Sequence, residues 1–264
     1  MNIYKPSELK AFLTQIGASP KRSLSQNFLI DGNIIKKIIK LANIQQKDTV
    51  LEIGPGPGAL TEACLATGAH VIAVEKDRKF ASALHRWQTQ DKRLTVYEDD
   101  ILTWDIDTPA GTNLIGNLPY AIVAPILARF LPRKDLFSSL TLMVQKEVAD
   151  RLTARAGSSS YSSLSLFVQF YSDPIKGFVV QPSCFYPVPK VTSAVIQLIP
   201  KDPPPVAPDR FFALVHKAFQ KRRKMIRSSL KLSSFGSSRP EELSLDNFLT
   251  LFHEMEEQEQ KNQP

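Results

Sequence analysis

Between Thr49 and Val144 the chain repeats one short phrase: an apolar run, a turn, then a stretch with helical spacing. Thr49–Ile53, His70–Glu75, Leu94–Glu98, Asn113–Gly116 and Ser139–Val144 read as strands. Ala59–Ala66, Arg78–Trp87, Val123–Phe130 and Lys146–Thr153 read as the helices that follow or join them. This alternation predicts an α/β fold, with a parallel sheet covered by helices on both faces. A helix over residues 33–43 is expected before the first strand, with Lys36, Lys37 and Lys40 outside.

The rhythm breaks at the Ser-rich stretch Gly157–Ser163. Leu164–Tyr171 is apolar and fits either a helix or a buried strand. Pro174–Gln181 and Val191–Leu198 read as two strands that could pair antiparallel at a sheet edge. Pro200–Pro208 reads as a linker. Arg210–Lys231 and Leu245–Met255 then read as helices of a small all-helical domain. The expected organisation is a Rossmann-like domain over 1–200 and a helical domain over 209–264.

Two cysteines, far apart at Cys64 and Cys184, indicate no disulfide framework and no zinc spacing. The four histidines stand singly, so no metal site is expected. No apolar run is long enough to span a membrane, and Met1–Ser25 lacks a signal peptide's apolar stretch. A cytoplasmic protein is expected, with no membrane partner. The net charge of +7 is uneven. The first 240 residues hold 32 Lys and Arg against 19 Asp and Glu, a balance of +13. That favours a polyanionic partner, nucleic acid before membrane.

The first strand runs into Glu52-Ile53-Gly54-Pro55-Gly56-Pro57-Gly58. A glycine turn between strand and helix lets a ligand approach the backbone closely. The next strand ends in Glu75, where a carboxylate can accept both ribose hydroxyls of a nucleoside. NAD would want G-x-G-x-x-G/A, which Gly54, Gly56 and Ala59 satisfy loosely. S-adenosylmethionine enzymes show an acid followed by G-x-G-x-G, which Glu52, Gly54, Gly56 and Gly58 satisfy fully. Asp100, after the third strand, is placed to accept from the cofactor's adenine amine.

The fourth strand ends in Asn117-Leu118-Pro119-Tyr120. Adenine N6 is a poor nucleophile, because its lone pair is delocalised into the ring. An Asn oxygen and a backbone carbonyl can accept its two N–H groups and favour a tetrahedral nitrogen. Tyr120 can stack on the base, as in base-flipping enzymes. Phe185, in the Pro-rich loop Ser183–Val191, is placed to close the opposite face. Residues 217–231 hold seven cations and no acid: Lys217, Lys221, Arg222, Arg223, Lys224, Arg227 and Lys231. On one continuous helix five of them would form a basic stripe within an arc of ~120°. Seven unpaired positives suggest phosphate contacts, which Lys21-Arg22 and the lysines of 36–40 would extend.

In this order the motifs resemble the ribosomal small-subunit RNA adenine dimethyltransferases, from about Leu24 to Leu230. The resemblance rests on Gln26-Asn27-Phe28-Leu29, Glu52-Ile53-Gly54-Pro55-Gly56, Glu75, Asp100, Asn117-Leu118-Pro119-Tyr120, Phe185-x-Pro187-x-Pro189-Lys190-Val191, and Arg222-Arg223-Lys224 with Ile226-Arg227. It implies a Rossmann-like methyltransferase sheet, a cofactor-covering segment over 1–45 and a helical C-terminal domain. It implies S-adenosylmethionine as cofactor, held by Asn27, Leu29, Gly54, Gly56, Glu75, Asp100 and Asn117. Asn117, Pro119, Tyr120 and Phe185 would be catalytic. The implied substrate is 16S rRNA in the assembling small subunit, dimethylated at N6 of two adjacent adenines near its 3′ end, and a monomeric enzyme is expected. Two other readings share motifs or fold: a large-subunit methyltransferase of the macrolide-resistance type, and a catalytically silent assembly or transcription factor. The intact tetrad and Glu75 argue against the silent one.

Overall fold

The computed structural model describes residues 3–21, 24, 26–221, 224–230 and 232–261. Its elements begin with α1 (Pro6–Gln15), β1 (Phe28–Leu29) and α2 (Gly32–Ala42). The alternating body follows: β2 (Thr49–Ile53), α3 (Ala59–Ala66), β3 (His70–Glu75), α4 (Arg78–Gln88), β4 (Leu94–Glu98), β5 (Thr112–Asn117), α5 (Tyr120–Phe130), β6 (Phe137–Gln145) and α6 (Lys146–Leu152). After it come α7 (Ser163–Tyr171), β7 (Ser172–Val180), β8 (Phe185–Tyr186), β9 (Ser193–Pro200), α8 (Pro208–Gln220), α9 (Ile226–Ser229) and α10 (Leu245–Lys261). Leu164–Tyr171, open between helix and strand in the sequence, is helix.

The seven-stranded sheet runs β4-β3-β2-β5-β6-β9-β7. Pairs from β4 through β6 are parallel, and β6 with β9 is antiparallel. The chain winds outward from β2 to β4, then restarts on the other side at β5. That reversal opens a crevice at the C-terminal ends of β2 and β5, the place where open α/β sheets bind ligands. The strands are apolar on both faces because helices cover both. Val50, Leu51, Val71, Ala73, Leu114, Ile115, Leu140 and Leu142 are all fully buried. On one side α2 brings Ile35 and Ile38 into the cluster, and Asp31 caps its first turn by accepting from Asn33 and Ile34 N–H.

The chain divides into two compact units: residues 1–149 with 175–200, and Asp150–Pro174 with Lys201–Pro264. Residues 150–174, expected within the first domain, thus fall in the second unit. The reason is an aromatic cluster inside that unit. Phe170 of α7 lies 5.1 Å from Phe211 and 5.0 Å from Phe212 of α8, and Phe167 lies 5.3 Å from Phe212. Phe219 stacks on Phe248 of α10 at 5.9 Å.

The expected helix over Arg210–Lys231 is interrupted. α8 ends at Gln220, and Lys221 leaves helical geometry at φ −118°, ψ 48°. The chain re-enters as α9 at Ile226, whose N–H donates to the Ser238 carbonyl while Arg227 N–H donates to Gly236. Those loop carbonyls satisfy N–H groups that a continuous helix would spend on its own preceding turn.

Candidate active site

All the expected cofactor and catalytic residues line one cavity of about 570 Å³, at the crevice where strand order reverses. Its floor is the glycine turn. Gly54 (φ 63°) and Gly56 (φ 54°) hold a left-handed backbone that an L side chain rarely adopts. A Cβ on Gly54 would meet nothing within 4 Å, so the turn presents bare backbone to open space. A Cβ on Gly56 would stand 3.2 Å from the Phe28 ring.

Glu75 is buried at the end of β3, and each of its oxygens accepts one backbone N–H: Gly56 at 2.8 Å and Asp77 at 2.7 Å. Burial raises its carboxyl from the ordinary value, against those two hydrogen bonds. The carboxylate therefore ties the glycine turn to the start of α4. Acceptor capacity remains for hydroxyl donors from the cavity, since a carboxylate offers about four lone-pair sites. Glu52 lies deeper, accepting from Thr61 Oγ1 at 2.6 Å. Burial pushes it up to about 7, against the Thr61 bond, and the nearby Glu75 charge adds to the rise.

The opposite wall comes from the N-terminal segment. β1 pairs antiparallel with β8, placing Phe28 opposite Tyr186 and Leu29 opposite Phe185. Asn117 Nδ2 donates to the Asn27 carbonyl at 3.0 Å. Asp77 fastens the same segment, accepting from Gln26 Nε2 at 3.2 Å and pairing with Lys21 Nζ at 2.8 Å. Burial would raise the Asp77 carboxyl, but Lys21, Lys79 N–H and Gln26 together hold it below its usual value. Asp77 was not singled out from the sequence. Its signal was its place at the N-cap of α4, two residues after Glu75.

Asp100 stands at the cavity wall with both oxygens engaged, by Lys76 Nζ at 2.7 Å and Leu102 N–H at 3.1 Å. The Lys76 hydrogen bond depresses its carboxyl. Arg129 of α5 holds the loop that follows, donating to the carbonyls of Leu102 (3.0 Å) and Trp104. Asn117 ends β5, and Leu118 N–H extends the ladder to Met143 O at 2.9 Å. Pro119 occupies the N-cap of α5, and Tyr120 opens the helix 56% exposed at the cavity mouth. Phe185 differs: it is 2% exposed and belongs to the core cluster with Leu29, Met143 and Val195. No ring contact joins it to Tyr120 among the described residues. The ring forms cavity wall rather than a free second face, because pairing with β1 turns its strand inward.

Of the expected RNA-binding residues, Lys217, Lys221, Lys224 and Arg227 are exposed. Lys217 lies on α8, Lys221 at its end, Lys224 in the turn and Arg227 on α9, so they do not share one helical stripe. Arg222, Arg223 and Lys231 lie outside the described residues. Among the described residues no cluster of His, Cys, Asp and Glu could hold a metal, and no helix is long and apolar enough to cross a membrane.

Sheet order, the glycine turn and the buried acid at the end of β3 together define a class I S-adenosylmethionine-dependent methyltransferase fold. The site fits that cofactor: an open left-handed glycine turn beside a buried carboxylate. The model of the ribosomal RNA adenine dimethylase family matches residues 17–259, and the chain belongs to that family. It is 49% identical to the ribosomal RNA small subunit methyltransferase A of Protochlamydia amoebophila, over 97% of this chain and 98% of that one. Among solved structures, a dimethyladenosine transferase from Plasmodium falciparum is similar at TM-score 0.79 and 27% identity, covering 87% of this chain and 98% of that one. The 23S rRNA methyltransferase ErmE is similar at TM-score 0.69 and 25% identity, covering 87% of this chain and all of that one.

Proposed function

We propose that this enzyme dimethylates N6 of two adjacent adenines near the 3′ end of 16S rRNA, within the assembling small subunit, as a monomer in the cytoplasm. The observation that carries the adenine chemistry is the Asn117 amide. Its nitrogen is engaged by the Asn27 carbonyl, so its oxygen is the atom left to accept from a substrate amine. The small-subunit choice is supported by the near full-length likeness to relatives named for that subunit, at 49% and 38% identity.

Glu75, the Gly54–Gly56 backbone, Asp100, Asn27 and Leu29 would hold S-adenosylmethionine. When bound, it supplies a methyl group already activated by the sulfonium. The chain's residues then have only to position the amine. Asn117 Oδ1 accepts one N6 hydrogen and turns the nitrogen lone pair toward the methyl donor. Tyr120, exposed at the mouth, offers its ring face to the flipped base. Lys217, Lys221, Lys224 and Arg227 would contact phosphates, with Arg222, Arg223 and Lys231 of the same run. Incubation with labelled S-adenosylmethionine and unmethylated small subunits, followed by mapping of the product, tests the reading. The expected product is dimethyladenine at two adjacent positions of 16S rRNA. Label on large-subunit RNA alone would favour the macrolide-resistance type, and no transfer the silent factor.

A further inference from the structure

Six large apolar side chains stand exposed among the described residues, and two of them line the cavity while a third is next in the chain to a lining residue. Tyr120 and Val191 line the cavity, and Val188 stands beside Pro189, which also lines it. Scattered surface hydrophobics are ordinary; a group at the rim of a binding cavity is not. Val188 is the most exposed of the six, at 66%. Pro187 and Pro189 flank it, fixing φ on both sides and removing two N–H donors. The loop is anchored at each end, by Phe185 paired with Leu29 and by Ser193 paired with Gln145. A short, stiff loop thus holds an aliphatic side chain out in water. From Pro182 to Thr192 the loop has no acid. Lys190 is exposed two residues on, and no ion pair engages it among the described residues. An apolar tip beside a free cation fits a base face beside a phosphate.

We infer that Val188 contacts the nucleobase next to the target adenine. This rests on the reading above, in which two adjacent adenines are modified. Whichever adenine enters the cavity leaves its neighbour without a stacking partner at the mouth. Val188 covers the face so exposed, as apolar side chains do where a base step is opened, and Lys190 meets the phosphate beside it.

Single-turnover methylation of unmethylated small subunits tests this, using wild type, Val188→Ser and Val188→Leu. A second substrate is subunits reconstituted with 16S rRNA carrying an abasic nucleotide in place of one of the two adenines. On intact subunits Val188→Ser should be slower by about tenfold, the scale of one lost base contact. Val188→Leu should recover most of that rate, and both variants should bind S-adenosylmethionine as wild type does. On abasic subunits wild type should fall to the rate of Val188→Ser, which should fall no further. Equal rates for wild type and Val188→Ser on intact subunits would overturn the inference. So would a tenfold gap that persists on abasic subunits, since Val188 would then touch something other than the neighbouring base. Failure of wild type on intact subunits would bring down the functional reading itself, and the inference with it.

Discussion

The side-chain oxygen of Asn117 is held by what its nitrogen does. Because Nδ2 donates to Asn27 O, the amide cannot turn over without losing that bond. In the proposed reaction, acceptance from N6 would strengthen as the amine becomes tetrahedral, so the interaction would belong to the transition state. Asn117→Ala should therefore slow single-turnover methyl transfer by ~10²-fold or more. RNA affinity should hardly change. Tyr120→Phe keeps the ring and should retain much of the activity, while Tyr120→Ala should lose it. A Tyr120→Phe enzyme as inactive as Tyr120→Ala would transfer the role from the ring to the hydroxyl. Glu52 gives a different kind of test. Its carboxyl is raised from 4.5 to about 7, chiefly by burial, so the folded chain binds that proton more tightly than the unfolded chain. The resulting stability is full below pH 4.5 and is lost as pH rises through about 7. Over that window the loss is on the order of 3 kcal/mol. Glu52→Gln keeps an acceptor for Thr61 and removes the titration. Urea unfolding of the cofactor-free protein between pH 5 and 8 should show a flatter profile in the variant. Some slope of the same sign should persist from Glu75, also raised by burial. A variant with the wild-type slope would mean that another group titrates.

Helices and strands differ in how openly the sequence announces them. β2 to β6 were legible because both faces are covered, which leaves continuous apolar runs bounded by turns. That the glycine turn, Glu75, Asp100 and Asn117 would meet at one cavity was legible because each ends or closely follows one of those strands. β1 and β8 were not, because two residues become a strand only when another segment pairs with them, as Leu29 does with Phe185. The same pairing buried Phe185, a consequence no local pattern carries. The break between α8 and α9 was hidden for a similar reason: the Gly236 and Ser238 carbonyls that accept from α9 come from a loop beyond it. α10 also carries partners that its acidic composition conceals. Glu254 accepts from Ser233 and Ser234, and these donors, working against burial, hold its carboxyl at about 2. Arg210 pairs with Glu256 at 2.9 Å and with Glu259. The acids are thus drawn into the unit's own structure, while Lys221, Lys224 and Arg227 stay exposed at the turn. Charge reversal at these three should weaken RNA binding and lower the log–log salt slope by roughly two to three. Cofactor affinity should be untouched. An unchanged slope would remove the α8–α9 turn from the RNA contact.

At the scale of the whole chain, the division into units predicts where the protein can be cut. The sequence places a boundary in the Pro-rich stretch after residue 200, which invites a chain ending at Pro200. That cut would keep residues 150–174 and remove the helices they pack on. Phe170 would lose Phe211 and Phe212, at 5.1 and 5.0 Å, and Phe167 and Tyr171 would lose Phe212, at 5.3 and 6.1 Å. Large aromatic side chains bury ~150–250 Å² each, so uncovering three creates an apolar surface at or beyond what soluble monomers usually expose. The shortened chain should therefore bind a hydrophobic dye strongly and elute as aggregates on size exclusion. Phe167→Ser and Phe170→Ser, introduced together in the shortened chain, should reduce both signals, because they lower the exposed apolar area without touching the cavity. In the full chain the same pair should instead destabilise the second unit, since Phe170 is fully buried there. Opposite signs in the two backgrounds are the expected signature. A chain ending at Pro200 that is monomeric, dye-silent and binds S-adenosylmethionine like the full protein would mean that residues 150–174 need no cover from α8, and that the boundary belongs where the proline stretch suggests.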